Sequence, residues 1–518
     1  MKSLQNTSGP GPGLLARLPA GPWSYPLAFA AGALGVLGFA PFAWFPLLAL
    51  GQGLLFWLLL DASPRRGLGL GYAYGLGLMG LGVSWLRISL AEFAYVPPWL
   101  AGLYTLGFVL CMALYYGLAG WAIARLGQGR GLRARLLLLA PSVWLLLEWL
   151  RGWLFTGFPW LQTGYAWIDS PLAGFAPLFG AQGMGLLGLW LAAALAWLLI
   201  GPRRLQALGL LALIPLAGLL LQQASWSQPL GGPFRVSLIQ ANIPQSLKWK
   251  PDHLRESVAA HLALTRQHWD SQLIIWPETA VPAMAGRVQT SLLQPLDQEA
   301  RARDLELLIG IPRERPGSAQ YFNSLQNLGG TGAHYAKRHL VPFGEYVPLP
   351  GLLQPLVDGL GVEMGDFVPG EGPSWLPVLG RLAGISICYE VVFANLVRQA
   401  LPQAGFLVNV SNDGWFGDSL APWQHLQIAR MRALETGRYL LRATNTGISA
   451  IIRPDGCLQA QSGLLQADVV SGQVQPRQGA TPYVRWGDGP ALALAILGLL
   501  LRARLPPMPP RQRHSRGR

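Results

Sequence analysis

Acidic residues are scarce in the first 230 positions, where Asp61, Glu92, Glu148 and Asp169 are the whole supply. Charged residues make up only 12% of the 518-residue chain, about half the usual fraction for a globular protein. Cysteine is equally sparse. Three thiols, Cys111, Cys388 and Cys457, do not make a disulfide framework, and a single Cys388–Cys457 bridge is the bland reading of the last two. Cys111 falls in an apolar run and reads as a small packing residue. No His/Cys cluster has ligand spacing, so no metal is predicted. The Gly-rich stretch 67–82 lies inside an apolar run, where glycine serves helix packing rather than a nucleotide. No cofactor is predicted.

What fills the first 230 positions is a series of long apolar runs, each able to cross about 30 Å of hydrocarbon as a helix. Spans are predicted near 24–42, 43–61, 67–88, 98–124, 136–154, 178–200 and 205–222, with an eighth near 488–502. The first is read as uncleaved, because no small-residue cleavage site follows it. Basic residues at Lys2, Arg17, 65–66, 125–135, 203–204 and 502–518 fall on one side of this arrangement, against Arg87 and Arg151 on the other. The positive-inside rule then puts both termini in the cytoplasm and the region between spans seven and eight outside. The basic tail is a topology signal that also favours anionic lipid heads. The formal charge of +14 belongs to these flanks. The intervening domain is close to neutral, which argues against nucleic-acid binding.

From about residue 233 the pattern changes to short β-rich runs alternating with helical ones. Strands are expected at 234–240, 273–276, 305–311, 321–328, 334–339, 383–388, 406–410, 440–443 and 448–453, with helices at 253–269 and 421–438. This alternation predicts one α/β sandwich. The division is 1–230 for the membrane part, 231–486 for the external domain, and 487–518 for the last span and tail. The Gly-, Pro- and Leu-rich stretch 348–375 reads as a packed connector or as a flap that touches the bilayer or covers the site.

Three residues of this region carry chemistry. Cys388 ends the apolar run 382–387, as a nucleophile on a strand-to-helix turn does. Glu278 follows Leu273-Ile274-Ile275-Trp276-Pro277, where a buried strand reaches a surface and a carboxylate can act as general base. Lys337 sits in a strand-like pattern, and an ammonium beside a thiol stabilises both thiolate and tetrahedral oxyanion. Glu345 offers the lysine a second carboxylate. Each alone has a plain reading: a packing thiol, a cap or surface carboxylate, a solvated lysine. The ordered set does not. Farther up, Glu148 and Arg151 stand three apart on a predicted helix, as a structural pair or a headgroup contact. The aromatics Trp153, Phe155, Phe158, Trp160 and Trp167 read as an interfacial belt.

The Glu–Lys–Cys order resembles the nitrilase, or carbon-nitrogen hydrolase, superfamily. Over its whole length the chain is similar to the apolipoprotein N-acyltransferase family. The matching segments are 242–249, Trp276–Ala280, 335–348, Cys388–Glu390 and Ser411–Gly417, extended by His425, Arg438 and Thr444–Gly447. The resemblance implies a polytopic α-helical membrane domain joined to an extracytoplasmic, nitrilase-like αββα sandwich. It implies Cys388 as the acylated nucleophile, Glu278 as the base and Lys337 as the oxyanion cation, with Glu345, Tyr389, Glu390 and Trp249 in support. It also implies a reaction: a fatty acyl chain passes from a phosphatidylethanolamine-like phospholipid to the cysteine. The N-terminal amine of a diacylglyceryl-cysteine apolipoprotein then takes it, with ping-pong kinetics. The setting would be the bacterial inner membrane, with the catalytic domain periplasmic.

A thioester needs a site that excludes water yet admits an amine. Spans three to five and the 348–375 loop are expected to shape a membrane-facing opening that meets both needs. Two rivals stay open: a membrane-anchored amidase or nitrilase-type hydrolase, and a non-catalytic membrane scaffold with a nitrilase-like domain.

Overall fold

The computed structural model describes residues 21–93, 96–201, 204–351 and 366–504. The apolar runs are helices Ser24–Gly35, Phe45–Leu59, Pro64–Gly82, Pro98–Leu126, Ala140–Arg151, Ala176–Ile200, Arg204–Leu221 and Gly489–Arg504. Among the described residues, three are long and apolar enough to cross a membrane: Pro98–Leu126, Pro171–Ile200 and Arg204–Leu221. A fourth counts if Pro64–Gly82 and Leu86–Phe93, bent by 56°, form one broken span. Ser24–Gly38, Phe45–Leu59 and Gly489–Ala503 are apolar but shorter. The run expected at 136–154 is π-helical over Ala134–Leu139 before its α-helix begins.

Glycine decides how closely two of these helices cross. A Cβ on Gly120 would lie 2.1 Å from the Gly67 carbonyl oxygen, and one on Gly71 would lie 2.1 Å from that of Tyr116. Helices 64–82 and 98–126 therefore touch backbone to backbone, the contact that small residues permit.

The second region is a sandwich of two six-stranded sheets. One runs Asp468–Val474, Phe234–Gln240, Leu273–Ile275, Glu306–Glu314, Tyr321–Leu328, His334–Ala336; the other runs Leu458–Gln461, Ala450–Ile452, Leu440–Thr444, Phe406–Ser411, Arg381–Ile387, Trp375–Val378. Val236, Leu238 and Ile275 from the first meet Ile385, Val408 and Leu441 from the second in a shared dry core. Phe234 and Phe406 close one end of it with ring centroids 5.1 Å apart. Helices Leu254–Arg266 and Gln294–Ala302 cover the outside of the first sheet, and Ala421–Thr436 covers the second, giving the αββα layering.

Helix Ala421–Thr436 is buried on nearly every side because it is a joint. Leu426, Ile428, Met431 and Leu434 share one core with Trp144, Trp160, Tyr165 and Trp197 of the helical region. The Glu435 carboxylate accepts from the Ala181 N–H at 2.7 Å. That N–H is freed by a break in helix 176–200 at Gly180, where φ is +66°.

Two readings from the sequence are corrected. Trp160 and Trp167 are core residues, 1% and 3% exposed, not members of an interfacial belt. The chain turns inward at Gly157 (φ +84°), leaving Trp153 and Phe155 outside. Cys111 is exposed on the outer face of its helix rather than packed. The connector at 348–375 falls largely on residues 352–365, outside the described residues.

Candidate active site

Three of the predicted residues converge because their strands, with a fourth, end on one edge of the sandwich. Glu278 lies just past Leu273–Ile275, Lys337 directly after His334–Ala336, and Cys388 directly after Arg381–Ile387. The turn carrying Asn412 and Asp413 follows Phe406–Ser411. Strand carboxyl ends are where α/β proteins place ligands, since the loops there are free of the ladder.

Lys337 is 1% exposed, and its ammonium sits 2.9 Å from the Glu345 carboxylate and 3.7 Å from Glu278 Oε1. Asn323 ties the two acids together, donating Nδ2 to Glu278 Oε1 at 2.7 Å and to Glu345 Oε1 at 3.1 Å. Its carbonyl holds the Lys337 N–H at 2.8 Å. The other Glu278 oxygen accepts from the Asn412 backbone N–H at 2.8 Å, and Glu345 Oε2 from the Val341 N–H at 2.8 Å. Burial alone would lower the lysine. The Glu345 and Glu278 carboxylates and the Cys388 sulfur outweigh it and hold the ammonium above its ordinary value. It is a fixed cation at any working pH.

Cys388 opens a 3₁₀ turn with φ at +52°. For a residue with a Cβ this costs about 1–2 kcal/mol, the kind of strain that persists where the surrounding structure dictates it. Neighbours do dictate it. Glu390, fully buried, accepts from the Ile387 N–H at 2.7 Å on one side of the thiol and from the Arg338 and His339 N–H groups at 2.7 and 3.0 Å on the other. The Tyr335 hydroxyl donates to it as well, at 3.0 Å. Glu390 thus pins the cysteine turn to the segment bearing Lys337. Beneath the turn, Asn409 donates to the Ser386 and Cys388 carbonyls and is gripped by Arg442. Arg442 also binds Asp413 at 2.7 Å, and His425 Nδ1 meets Asp413 Oδ1 at 3.0 Å. Burial would raise the Asp413 carboxyl, but Arg442 and His425 hold it well below the usual carboxylate range.

The thiol itself is pushed up to about 12, first by burial and then by the Glu278 carboxylate, against the pull of Lys337. It therefore rests protonated, and a role as nucleophile would call for a base beside it. The three cysteines are free, so no Cys388–Cys457 bridge competes.

Two of the predicted supporting residues stand apart from this network. Tyr389 points the other way, its hydroxyl donating to the Gly157 carbonyl at 3.1 Å and so joining the cysteine turn to the helical region. Trp249 is half exposed, at 50%. Its neighbour Lys248, which the sequence reading left without a role, is the buried one, with Nζ 3.0 Å from the Glu278 carbonyl. Asn323 and Asn412 were likewise missed. Buried amides leave no signature in a sequence until their partners are known.

The helical region reaches the site directly. Ser89, on the bent segment after Pro64–Gly82, donates its hydroxyl to the Trp415 carbonyl at 2.7 Å. Trp85 meets Phe416 edge to face at 4.9 Å. Both contacts land on the turn whose first N–H group binds Glu278. Higher up, Glu148 and Arg151 pair at 3.6 Å and are buried. Glu148 accepts from the Thr163 N–H at 2.7 Å, and Arg151 donates to the Phe158 and Trp160 carbonyls at 2.7 Å each. That is a structural pair. Among the described residues no group of His, Cys, Asp and Glu has the arrangement of a metal site.

Comparison with known proteins agrees with this division. A family model described as the apolipoprotein N-acyltransferase N-terminal domain matches residues 31–194, and one described as carbon-nitrogen hydrolase matches residues 235–483. The apolipoprotein N-acyltransferase of Methylococcus capsulatus is 44% identical over 488 residues, covering 92% of this chain and 96% of that protein. Its counterpart in Nitrosomonas europaea is 42% identical over 485 residues, with the same coverages. That of Azotobacter vinelandii is 40% identical over 495 residues, covering 92% and 95%.

Proposed function

This chain belongs to the apolipoprotein N-acyltransferase family, and we infer that its reaction is the transfer of a fatty acyl chain from a phospholipid to the N-terminal amine of a lipoprotein. The observation that carries the assignment of roles is the set of buried Glu278, Lys337 and Glu345 beside the partly buried Cys388, whose thiol rests protonated.

In the first half-reaction the Cys388 sulfur attacks the ester carbonyl of a phosphatidylethanolamine-like donor while its proton passes to the Glu278 carboxylate. Negative charge moves from the carboxylate to the carbonyl oxygen, where the Lys337 ammonium stabilises it. The C–O bond breaks, and the lysophospholipid oxygen leaves with the proton that Glu278 held. In the second half the α-amine of a diacylglyceryl-cysteine attacks the thioester, the C–S bond breaks, and the amine's proton returns to sulfur through Glu278. Glu345 and Asn323 keep lysine and base in register. The sequence of two displacements is ping-pong.

We assign residues 1–230 and 487–518 to a multi-pass anchor in the bacterial inner membrane and 231–486 to a periplasmic catalytic domain, with both termini cytoplasmic. The one-sided distribution of basic residues supports this orientation. Exposed Trp249, Phe343, Leu349 and Trp415, each close in sequence to a residue of the site, supply apolar surface suited to acyl chains. The high-coverage relatives, each an apolipoprotein N-acyltransferase, favour this reading over a hydrolase or a scaffold.

Intact-mass measurement after mixing the protein with phospholipid vesicles tests the reading. An acyl adduct is expected in wild type and in Cys457→Ser, and none in Cys388→Ser. A wild type without adduct overturns the proposal.

A further inference from the structure

Lys248 closes the short helix Gln245–Lys248 and is 2% exposed, although a lysine at this position of a loop-bound helix would ordinarily reach water. Its Nζ donates to the Glu278 main-chain carbonyl at 3.0 Å. A buried ammonium costs several kcal/mol unless negative charge answers it. The negative or acidic groups within its field are Glu278 and the Cys388 thiol. The same helix holds the base a second way. Gln245 Oε1 accepts from Asn412 Nδ2 at 2.7 Å, and the Asn412 N–H donates to Glu278 Oε2 at 2.8 Å.

We propose that Lys248 is a second cation of the site, a positioning residue that fixes Glu278 by its main chain and faces the charge that shifts from that carboxylate to the Cys388 sulfur as the thiol is deprotonated. The inference rests on the roles proposed above for Glu278 and Cys388. Lys337 cannot substitute for it, because its ammonium is already shared between Glu345 and Glu278. Lys248 is held by a single neutral carbonyl, so its field is left for the reacting groups.

Its titration separates this role from simple bracing. Burial lowers Lys248 to about 8, against the opposing pull of Glu278 and Cys388. Three of the groups around it are displaced from that range. The thiol lies near 12, Lys337 is held above its ordinary value, and His261, the buried imidazole in the field of Lys248, is lowered to about 4, chiefly by its own burial. Lys248 is charged below its own value and neutral above it. Thioester formation should therefore fall as pH rises through about 8.

The test is single-turnover acylation of the full-length protein by phosphatidylethanolamine vesicles, followed by intact mass between pH 6.5 and 9.5. The same vesicles are used for every variant, so headgroup titration cancels. Lys248→Met is expected to acylate about 10²-fold more slowly at pH 7, the lower end of the scale for one lost electrostatic stabiliser, and to lose the alkaline fall. Lys248→Arg, which stays charged, should keep the rate within about tenfold and also lose the alkaline fall, so the proposal remains testable if the methionine variant does not fold. A wild-type rate and pH profile in Lys248→Met, an unchanged alkaline limb in Lys248→Arg, or a flat wild-type profile would each overturn it while leaving the roles of Cys388 and Glu278 standing. A wild type that forms no adduct removes both.

Discussion

Each half of the molecule buries a glutamate beside a cation, and the two pairs do opposite things. In the helical region Glu148 and Arg151 fasten the segment 158–163, Arg151 through the Phe158 and Trp160 carbonyls and Glu148 through the N–H and hydroxyl of Thr163. In the sandwich, Lys337 stands between two carboxylates, one of which borders a protonated thiol. A buried ion pair is therefore no sign of chemistry by itself. What separates the two is whether a titratable thiol stands beside the pair or whether its partners are main-chain groups and a hydroxyl.

The contrast can be broken from either side. Glu278→Gln keeps the shape of the base and removes its proton affinity, so thioester formation should fall about 10²–10⁴-fold, measured as adduct accumulation with time. Lys337→Met should cost about 10²–10³-fold in the same assay and also lower the melting temperature, since it leaves Glu345 and Glu278 buried without their cation. Glu148→Gln should do the reverse. It destabilises by about 3–5 kcal/mol through the uncompensated Arg151, with the acylation rate of the remaining folded protein close to wild type. An equal loss of rate there would erase the distinction.

Two milder changes sharpen it. Gly120→Leu drives a side chain into the Gly67 carbonyl and should cost about 1–3 kcal/mol of stability, read as a lower melting temperature with thioester chemistry retained. The smallest effect is at the joint. Burial, against the pull of Arg432, raises the Glu435 carboxyl to about 7, above its unfolded value. The folded state then binds more protons than the unfolded one between about pH 4.5 and 7, so this group's contribution to stability falls as pH rises through that window. Glu435→Gln should flatten that slope in pH-dependent thermal melts.

Much of this was legible beforehand because it is written in residue type and order. Apolar runs gave the helices, and the residues just past the buried runs 273–276 and 382–387 are the ones we propose as base and nucleophile. The strands at 234–240, 321–328 and 406–411 follow from their alternating or continuous hydrophobicity. The edge strands Trp375–Val378 and Leu458–Gln461 went unread because each is four residues long and only partly buried. Asp468–Val474, also missed, alternates too weakly, with only Val470 and Val474 buried. Trp160 and Trp167 were misplaced because an aromatic near the end of an apolar run looks interfacial until a glycine turns the chain inward. Glu390 was found by motif, but its work is to pin two backbone segments together, which no spacing reveals. Lys248 lies inside the matching segment 242–249, beside Trp249, and residue type alone does not separate a buried lysine there from a solvated one.

The turn 412–417 has one further property. Its first N–H grips the base, and its Trp415 carbonyl receives Ser89 from the bent helical segment. The distance between proton acceptor and sulfur is thus geared to the tilt of a helix that, in our assignment, sits in lipid. A solvent that lets that helix straighten would slow catalysis with the fold intact, so poor activity in a harsh detergent should recover on return to a bilayer.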